Sequence, residues 1–249
     1  MWKEPYTYGA DFLPLVGASG TAFSEFSIKM DTDAHFEAIK TIFMATDNQI
    51  NVGLLNATSG RDIIRPKGDI RAVSSTALNA MTANTFLPYV FPIPYVFSAG
   101  SEVVVSASDK SGSSNNLRFN IHGNRIMPGN APYEKRKQRE HYSFAIDSGS
   151  VSGYGNVTKS FLLDVDAGFL CSKLTGTSTG EGTVFITDIK PWSSRDVHFY
   201  NMVGNAQYGN HLSSRRWLPE RTMLQVRFTD ISGSTNRFRI TFHGERVYV

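Results

Sequence analysis

The chain has 249 residues, of which 41% are hydrophobic and 19% charged, and its formal net charge is +3. This length suits two ordinary domains, and so small a charge excludes the strongly basic surface of a typical nucleic-acid binder. The single cysteine, Cys171, excludes an intrachain disulfide framework, and no CxxC pair predicts a structural zinc site.

Residues 1–20 are predicted to form an arm before the first domain. They lack the apolar region of a signal peptide, and no apolar run is long enough to span a bilayer, so we expect no membrane partner and folding in a reducing cytoplasm. Trp2, Tyr6, Tyr8 and Phe12 follow no strand period, and aromatic side chains on a polar arm are costly unless they are buried. We expect them to dock on a neighbouring subunit; the alternative is that the arm folds back on its own first domain.

Short apolar segments separated by Gly, Ser, Asn, Asp and Pro predict an all-β chain. The candidate strands are residues 26–30, 40–45, 50–55, 144–147, 161–165 and 184–189. Helical signals are weak, and we interpret a turn over residues 33–39 and a short helix over residues 74–81 as loop ornaments. Residues 85–97 contain three prolines, which cannot donate to a sheet ladder, so this segment is predicted to be an edge strand or an extended crossing segment, with residues 215–219 as its counterpart.

The strongest signal in the sequence is an internal repeat. Residues 109–127 align without a gap with residues 230–248 and keep Asp, Ser, Gly, Ser, Asn, Arg, His, Gly and Arg in common. Upstream, residues 26–28 resemble residues 144–146, and residues 40–47 resemble residues 159–166. The nearly constant offset predicts two tandem copies of one domain that arose by internal duplication.

In both copies the residues before the repeated turn and those after it predict a hairpin with one apolar face. Apolar and polar residues alternate over residues 224–229 and 238–243 in the second copy, and over residues 103–107 and 117–121 in the first. Phe119 and Ile240 are predicted to point inward, and their neighbours Asn120 and Thr241 outward. Such a hairpin cannot hide its apolar side alone, so it must pack on a second sheet. The predicted fold class is therefore all-β, with two tandem jelly-roll-like β-sandwich domains.

The predicted domains are separated by a charged linker. The boundaries are residues 1–20 for the arm, 21–127 for the first sandwich, 128–140 for the linker and 141–249 for the second sandwich. The linker carries Lys135, Arg136, Lys137 and Arg139, which could bind an acidic protein surface. Since flanking glutamates dilute this charge and no aromatic residues are interleaved to stack on bases, we favour a solvated linker and expect no nucleic-acid partner.

Two patterns invite a catalytic or metal-binding interpretation. Gly176–Gly180 matches the Gly-x-Ser-x-Gly nucleophile elbow around Ser178, but a strand-like segment follows where the elbow requires a helix. His122 and His243 occupy the same place in the two copies, and no nearby ligand pair accompanies them. We interpret the histidines as structural, at a strand end where the next glycine can take positive φ.

Two Asp-x-Asp pairs, Asp31 with Asp33 and Asp164 with Asp166, lack the further ligands of a calcium loop. We interpret them as solvated strand ends. The sequence therefore predicts no catalytic, cofactor or metal residues, and no cofactor.

The end of each repeat resembles the ending of virion structural proteins of tailed bacteriophages. The resemblance rests on a Pro-containing apolar segment, a Ser-Gly-Ser turn, and a last strand that reads Leu-Arg-Phe-Asn-Ile-His-Gly at residues 117–123 and Phe-Arg-Ile-Thr-Phe-His-Gly at residues 238–244. It implies jelly-roll-like sandwiches that tile a particle, in capsid decoration, minor capsid, or neck and tail adaptor roles. It implies no functional residues.

We therefore expect a structural component of a bacteriophage virion, most simply a capsid decoration, cement or minor capsid protein. It would be made in the host cytoplasm, reside in the virion, and bind itself and other virion proteins rather than act as an enzyme. Three alternatives stay open: a small double jelly-roll major capsid protein, a carbohydrate- or receptor-binding module that uses Trp192 and Trp217, and an esterase built on Ser178.

Overall fold

A computed structural model of the chain describes residues 1–15, 23–45, 50–64, 89–109, 115–131, 138–204 and 209–248. The described strands are β1 (Trp2–Leu15), β2 (Phe23–Lys29), β3 (His35–Ala45), β4 (Ile50–Asn56), β5 (Arg61–Ile64), β6 (Tyr89–Phe97), β7 (Glu102–Asp109), β8 (Asn115–Met127), β9 (Arg139–Val151), β10 (Asn156–Leu162), β11 (Ala167–Ser178), β12 (Gly182–Thr187), β13 (Val197–His198), β14 (Asn210–Leu218), β15 (Met223–Asp230) and β16 (Asn236–Tyr248). A short helix, α1 (Phe199–Val203), lies between β13 and β14. Among the described residues no helix has both the length and the apolar character that a membrane crossing requires.

Most of the predicted strands are found, and two predicted segments are wrong. The candidates at residues 26–30, 40–45, 50–55, 144–147 and 184–189 overlap β2, β3, β4, β9 and β12. The candidate at residues 161–165 shares only its first two residues with β10, and the turn predicted over residues 33–39 runs into β3 instead. The helix predicted over residues 74–81 lies outside the described residues.

The chain divides into two compact units, Tyr8–Ile126 and Met127–Val249, and the second unit also contains Met1–Thr7. In the first unit the sheets have the strand orders β1-β8-β3-β6 and β2-β7-β4-β5. In the second unit the orders are β9-β16-β11-β14 and β10-β15-β12-β13. In both units, counting from its first strand, strand 1 pairs with strand 8, 2 with 7, 3 with 6 and 4 with 5, which is the winding of a jelly roll. The predicted fold class is confirmed.

Each unit has an apolar core between its two sheets. In the first unit the fully buried side chains include Phe36, Phe97, Val103, Val105, Phe119 and Ile121. In the second unit one cluster includes Phe144, Phe169, Val226, Phe228, Ile240 and Phe242. The predicted inward direction of Phe119 and Ile240 is therefore correct.

The third strand of each unit carries the same irregularity. In β3 the pairing with both neighbouring strands shifts between Ala38 and Lys40, and in β11 it shifts between Cys171 and Lys173. A histidine is the partner of the lysine in each case, His122 on β8 and His243 on β16. Since an extra residue in a strand is a specific local feature, its recurrence defines which positions of the two units correspond.

These correspondences correct half of the predicted repeat. The match of residues 109–127 with residues 230–248 places β8 on β16, as the topology does. The upstream matches are wrong by one strand, because Lys40 on β3 corresponds to Lys173 on β11, whereas Lys159 lies on β10. Neighbouring strands have the same alternation of apolar and polar residues. An alignment of the two copies that is displaced by one strand therefore cannot be recognised as wrong from the sequence alone.

The described part of the proline-containing segment, residues 89–97, forms an edge strand, which is one of the two predicted forms. Strand β6 lies at the edge of its sheet, and β14, which contains residues 215–218 of the predicted counterpart, lies at the edge of the corresponding sheet. An edge strand can accommodate proline because one side of its backbone has no ladder partner to satisfy.

Candidate functional site

The predicted free arm is wrong, because residues 2–15 form strand β1. Tyr6, Tyr8 and Phe12 are buried, with 5%, 2% and 6% of their surface exposed, whereas Trp2 is only half-buried. Every residue from Glu4 to Ala10 is buried, so this part of the strand lacks the alternation that marks a half-buried strand. The three rings serve the chain's own packing; a partner contact by Trp2 stays a prediction.

A buried arginine fixes the first residues of this strand in the second unit. The Arg216 side chain is 1% exposed, and its Nη1 lies 2.9 Å from Glu4 Oε1. Its Nε and Nη2 donate to the two carboxylate oxygens of Asp188 at 3.1 and 3.0 Å, and its guanidinium lies 5.3 Å from the centre of the Trp192 ring. We call Glu4, Asp188, Trp192 and Arg216 the Arg216 cluster. Two buried carboxylates thus share one cation. Removal of any one of these charged side chains would leave a buried charge without one of its partners, which is strongly destabilising.

Backbone hydrogen bonds hold the same segment. The Thr7 amide donates to the Trp192 carbonyl at 3.1 Å, and the Ser194 amide donates to the Thr7 carbonyl at 3.0 Å. On the other side, the Ser214 hydroxyl donates to the Lys3 carbonyl at 3.0 Å. The N-terminal segment is therefore a structural part of the second unit, which the sequence did not indicate because its partners are almost 200 residues away in the chain.

The predicted sugar-binding tryptophans are not on the surface. Trp192 is 2% exposed and donates its indole N–H to Asp188 Oδ2 at 3.1 Å. Trp217 is 8% exposed and packs so closely on Gly168 that a Cβ there would lie 2.1 Å from the ring. Neither ring is available to stack on a sugar, so this interpretation of the two residues is wrong.

The Gly-x-Ser-x-Gly segment is the end of a strand. Ser178 ends β11, and strand β12 follows, as the sequence predicted. The Ser178 hydroxyl donates to the Gly180 carbonyl and lies 3.4 Å from the Tyr200 hydroxyl. Gly176 is needed because a Cβ would collide with Phe199 and Val203 of α1. Gly176 and Ser178 of the motif therefore have structural roles, in packing and in hydrogen bonding, respectively.

The two matching histidines, His122 and His243, lie opposite the lysines that follow the register shifts of β3 and β11. His243 Nδ1 lies 3.0 Å from the Ser143 hydroxyl and its Nε2 lies 2.9 Å from the Thr175 hydroxyl. Burial lowers its pKa, as does the charge of Lys173. His122 is 5% exposed, and burial followed by the charge of Lys40 lowers its pKa well below the usual value.

Glycine is required after each histidine, but not for the positive φ that was expected from the sequence. Strands β8 and β16 do not end at His-Gly but continue to Met127 and Tyr248, and neither glycine has positive φ. A Cβ on Gly123 would lie 2.0 Å from the Glu37 carbonyl oxygen, and one on Gly244 would lie 2.2 Å from the Leu170 carbonyl oxygen. Only glycine permits this close approach of neighbouring strands.

The repeated Asp-x-Ser-Gly-Ser-x-Asn sequence forms a hydrogen-bonded turn in the second unit. Asp230 is 1% exposed, and its Oδ1 accepts the amides of Tyr154, Ser232 and Gly233 at 3.2, 3.0 and 3.1 Å. Its Oδ2 accepts the side-chain amide of Asn236 at 2.6 Å. Burial raises the pKa of Asp230, but the donors from Asn236 and the backbone outweigh this and lower it. The equivalent turn, residues 110–114, lies outside the described residues.

The first aspartate of each Asp-x-Asp pair interacts with other side chains, and the second is exposed. Asp31 pairs with Arg125 and accepts the Tyr8 hydroxyl at 2.9 Å, and burial raises the pKa of this tyrosine. Asp164 pairs with Arg246 at 2.5 Å. In the described part of the chain no group of three or more His, Cys, Asp or Glu side chains could hold a metal.

The basic run is only partly described. Lys135, Arg136 and Lys137 lie outside the described residues. Arg139 is exposed at the start of β9, within the predicted linker, and its Nη1 lies 3.5 Å from Glu245 Oε2. A partner-binding role for these four residues stays a prediction.

The two units define the chain as a double jelly-roll protein. No protein-family model and no curated protein matches it. It is similar to a solved protein described for the triple jelly-roll fold and turret assembly of an archaeal virus, with 11% identity and a TM-score of 0.28, over 92% of this chain and 56% of that one. It is similar to the structure of Sulfolobus turreted icosahedral virus, with 11% identity and a TM-score of 0.29, over 91% and 56%. It is also similar to the major capsid protein P2 of bacteriophage PM2, with 11% identity and a TM-score of 0.28, over 100% and 98%.

The chain therefore spans little more than half the length of the two archaeal-virus proteins. At these identities and TM-scores the likenesses assign no function.

Proposed function

We propose that this chain is a structural protein of a virion, a shell subunit that acts by binding copies of itself and other virion proteins. The observation that supports this proposal is the presence of two jelly rolls with the same strand order in one chain. Jelly rolls build viral capsids and also lectin domains, and burial of Trp192 and Trp217 removes the sequence argument for a lectin. The proposal rests on fold rather than on a chemical site.

We further infer that the two units arose by duplication. The same strand order, the same irregularity of the third strand and the same Lys–His pair next to it support a common origin more strongly than sequence identity does. Two units with the same strand order give one chain two related sets of surfaces, although corresponding residues are not equally exposed. A shell subunit of this kind can meet its symmetric neighbours twice.

That the virion is a bacteriophage's, and that the chain is a decoration, cement or minor capsid protein, are more specific versions of the same proposal. The double jelly roll favours the shell subunit, because a subunit that tiles a closed surface needs several matching faces. A decoration protein would need only one attachment face.

The experiment is quantitative mass spectrometry of virions purified from infected cells. A shell subunit is expected to be among the most abundant virion proteins. A copy number clearly below that of another shell protein would support the decoration role instead. Absence of the chain from purified virions would overturn the proposal.

A further inference from the structure

The corresponding outer faces of β8 and β16 differ sharply in burial. On β8 the outward side chains Asn120 and His122 are only 2% and 5% exposed, so the sequence-based expectation that Asn120 lies on a solvated face is wrong. On β16 the corresponding residues, Thr241 and His243, are partly exposed. Of the two matching histidines, His243 is therefore the one that can meet a molecule from solution.

The His243 ring lies between two hydroxyl groups on its face of the sheet. Ser143 on β9 is its strand partner, and the Ser143 Oγ lies 3.0 Å from His243 Nδ1. On the other side of the ring, Oγ1 of Thr175 on β11 lies 2.9 Å from Nε2. Ser143 is exposed, whereas Thr175 is partly buried. A hydroxyl within hydrogen-bond reach of a base that a third group orients is the geometric signature of an activated nucleophile.

The two hydrogen bonds give the ring nitrogens different roles. A neutral imidazole has one N–H donor and one acceptor. We assign the proton to Nε2, which is the more stable tautomer of an imidazole side chain in solution, so that Nε2 donates to Thr175. Nδ1 then accepts the hydrogen bond of the Ser143 hydroxyl and is the atom to which the hydroxyl proton can move.

The surroundings of His243 keep its ring neutral at pH 7. Burial lowers its pKa from the usual 6.5, and the charges of Lys173, its strand partner on β11, and of His141 on β9 lower it further. His211 on β14 is the next strand partner of Lys173. Glu245, two residues further along β16, is paired with two arginines. The neutral ring is the form that can accept a proton.

We propose that Ser143 is a modification site, which accepts the acyl group of a small activated ester with His243 as the general base. The observation that carries this proposal is the hydrogen-bonded row of Ser143, His243 and Thr175. Because Ser143 is exposed, a small donor can reach its hydroxyl directly from solution. The inference goes beyond the proposed function and does not depend on it.

In the reaction the Ser143 Oγ attacks the carbonyl carbon of the ester, and its proton moves to His243 Nδ1. The new bond from Oγ to the carbonyl carbon replaces the bond from that carbon to the leaving oxygen, which takes the proton from Nδ1 as it departs. The products are an ester on Ser143, an alcohol or phenol, and a neutral imidazole, so no oxidant or reductant takes part. Thr175 is a positioning residue, because it holds the ring without touching the reacting atoms.

The first test compares two serines within the full-length chain. The protein is incubated with p-nitrophenyl acetate, and peptide mass spectrometry gives the rate of acetylation at each residue. Ser160 is the matched control, because it is exposed on β10 and its strand partner is Gln225 rather than a histidine. Ser143 is expected to react about a hundredfold faster than Ser160.

Other nucleophiles of the chain are separated from this reaction by their chemistry. Hydroxylamine removes an acetyl ester from serine but not the amide that a lysine forms. Cys171 does not compete, because it is fully buried and burial raises the pKa of its thiol to about 12.

The second test removes the base. His243→Gln can still form hydrogen bonds with both hydroxyls but cannot accept a proton, so acetylation of Ser143 should slow by about a hundredfold, to the rate of Ser160. Thr175→Val should give a partial loss of rate, and Thr175→Ser should not, since only the serine variant keeps the hydroxyl that orients the ring. Circular dichroism checks that each variant folds.

The pH dependence in the wild type separates a base from a merely structural histidine. Below its lowered pKa the His243 ring is protonated and cannot act as a base, so the rate at Ser143 should fall as the pH decreases and stay level above about pH 7. A serine without a base reacts as its alkoxide, so the rate at Ser160 should keep rising with pH.

Three results would overturn the inference: equal rates at Ser143 and Ser160, a rate at Ser143 that His243→Gln does not lower, or acetylation of Thr175 in place of Ser143. The first of these is measured on the wild type and requires no variant to fold. All three leave the proposed function standing, because that function is decided by the abundance of the chain in virions.

Discussion

At the scale of the residue, a buried carboxylate is stable only when donors replace the water around it. Asp230 has three backbone amides and the Asn236 amide for this purpose. The turn that joins β15 to β16 is therefore built around one side chain. This explains why Asp, Gly and Asn recur together in the repeat, which the sequence showed without giving the reason.

We expect Asp230→Ala to lower the free energy of unfolding by about 1–3 kcal/mol, because it leaves several donors without an acceptor. Urea denaturation measures the change. Thr235→Ala, an exposed residue of the same turn, is the control and should stay within about 0.5 kcal/mol of wild type.

Because the pKa of Asp230 is lowered in the folded chain, its stabilising contribution is present above the unfolded pKa of about 4 and is lost as the pH falls below it. Asp230→Asn should weaken this dependence, and an Asp230→Ala variant as stable as the control would contradict our account of the turn.

The two histidines give a second prediction at this scale. Burial lowers the pKa of both, and more strongly for His122. The unfolded chain therefore takes up protons near pH 6.5 while the folded chain does not, so stability is present above this pH and is lost as the pH falls. Denaturation between pH 7 and pH 5 should show this loss, and His122→Gln should reduce it more than His243→Gln. An unchanged pH dependence in His122→Gln would exclude this histidine as the source.

At the scale of the element, strand β1 owes its position to contacts that lie far away in the sequence. The Arg216 cluster joins this strand to β14 and to the segment after β12. A buried ion pair contributes little net stability over an apolar replacement of both partners, but loss of one partner leaves the other unpaired. The cluster therefore specifies where the segment Met1–Thr7, which contains the first residues of the strand, lies within the second unit.

We expect Arg216→Met to lower the free energy of unfolding by about 3–5 kcal/mol, because Glu4 and Asp188 would stay buried without a cation. Hydrogen exchange should show faster exchange of the Thr7 amide. Arg215→Met is the control, since this neighbour is 48% exposed and pairs only at the surface with Glu245; its effect should be within about 1 kcal/mol. Equal effects of the two substitutions would show that the cluster does not hold the strand.

The success of the sequence analysis also depends on the element. Strands with one solvated face, such as β15, were predicted correctly because their residues alternate between buried and exposed. Strand β1 was missed because it is buried on both faces from Glu4 to Ala10. The Arg216 cluster could not be predicted, because a lone arginine beside a tryptophan in an edge strand looks like any surface residue until its distant partners are known.

At the scale of the whole molecule, the two units have separate cores, and tryptophan is present in only one of them. Trp2 belongs to the second unit through the segment Met1–Thr7, and Trp192 and Trp217 lie in its main part. Trp192 packs edge-on against Phe242, with ring centres 5.9 Å apart. Tryptophan fluorescence therefore reports the second unit, whereas circular dichroism reports both.

This separation leads to a prediction for matched core substitutions. Phe119→Ala and Ile240→Ala each remove a side chain with 0% exposure, one from each unit, and each should lower the free energy of unfolding of its own unit by about 2–5 kcal/mol. We expect Ile240→Ala to shift the fluorescence transition in urea to a lower concentration. Phe119→Ala should leave that transition in place and shift only a part of the change in circular dichroism. If Phe119→Ala shifts the fluorescence transition as far as Ile240→Ala does, the two jelly rolls unfold as one cooperative body, and stability would then be a property of the pair rather than of each unit.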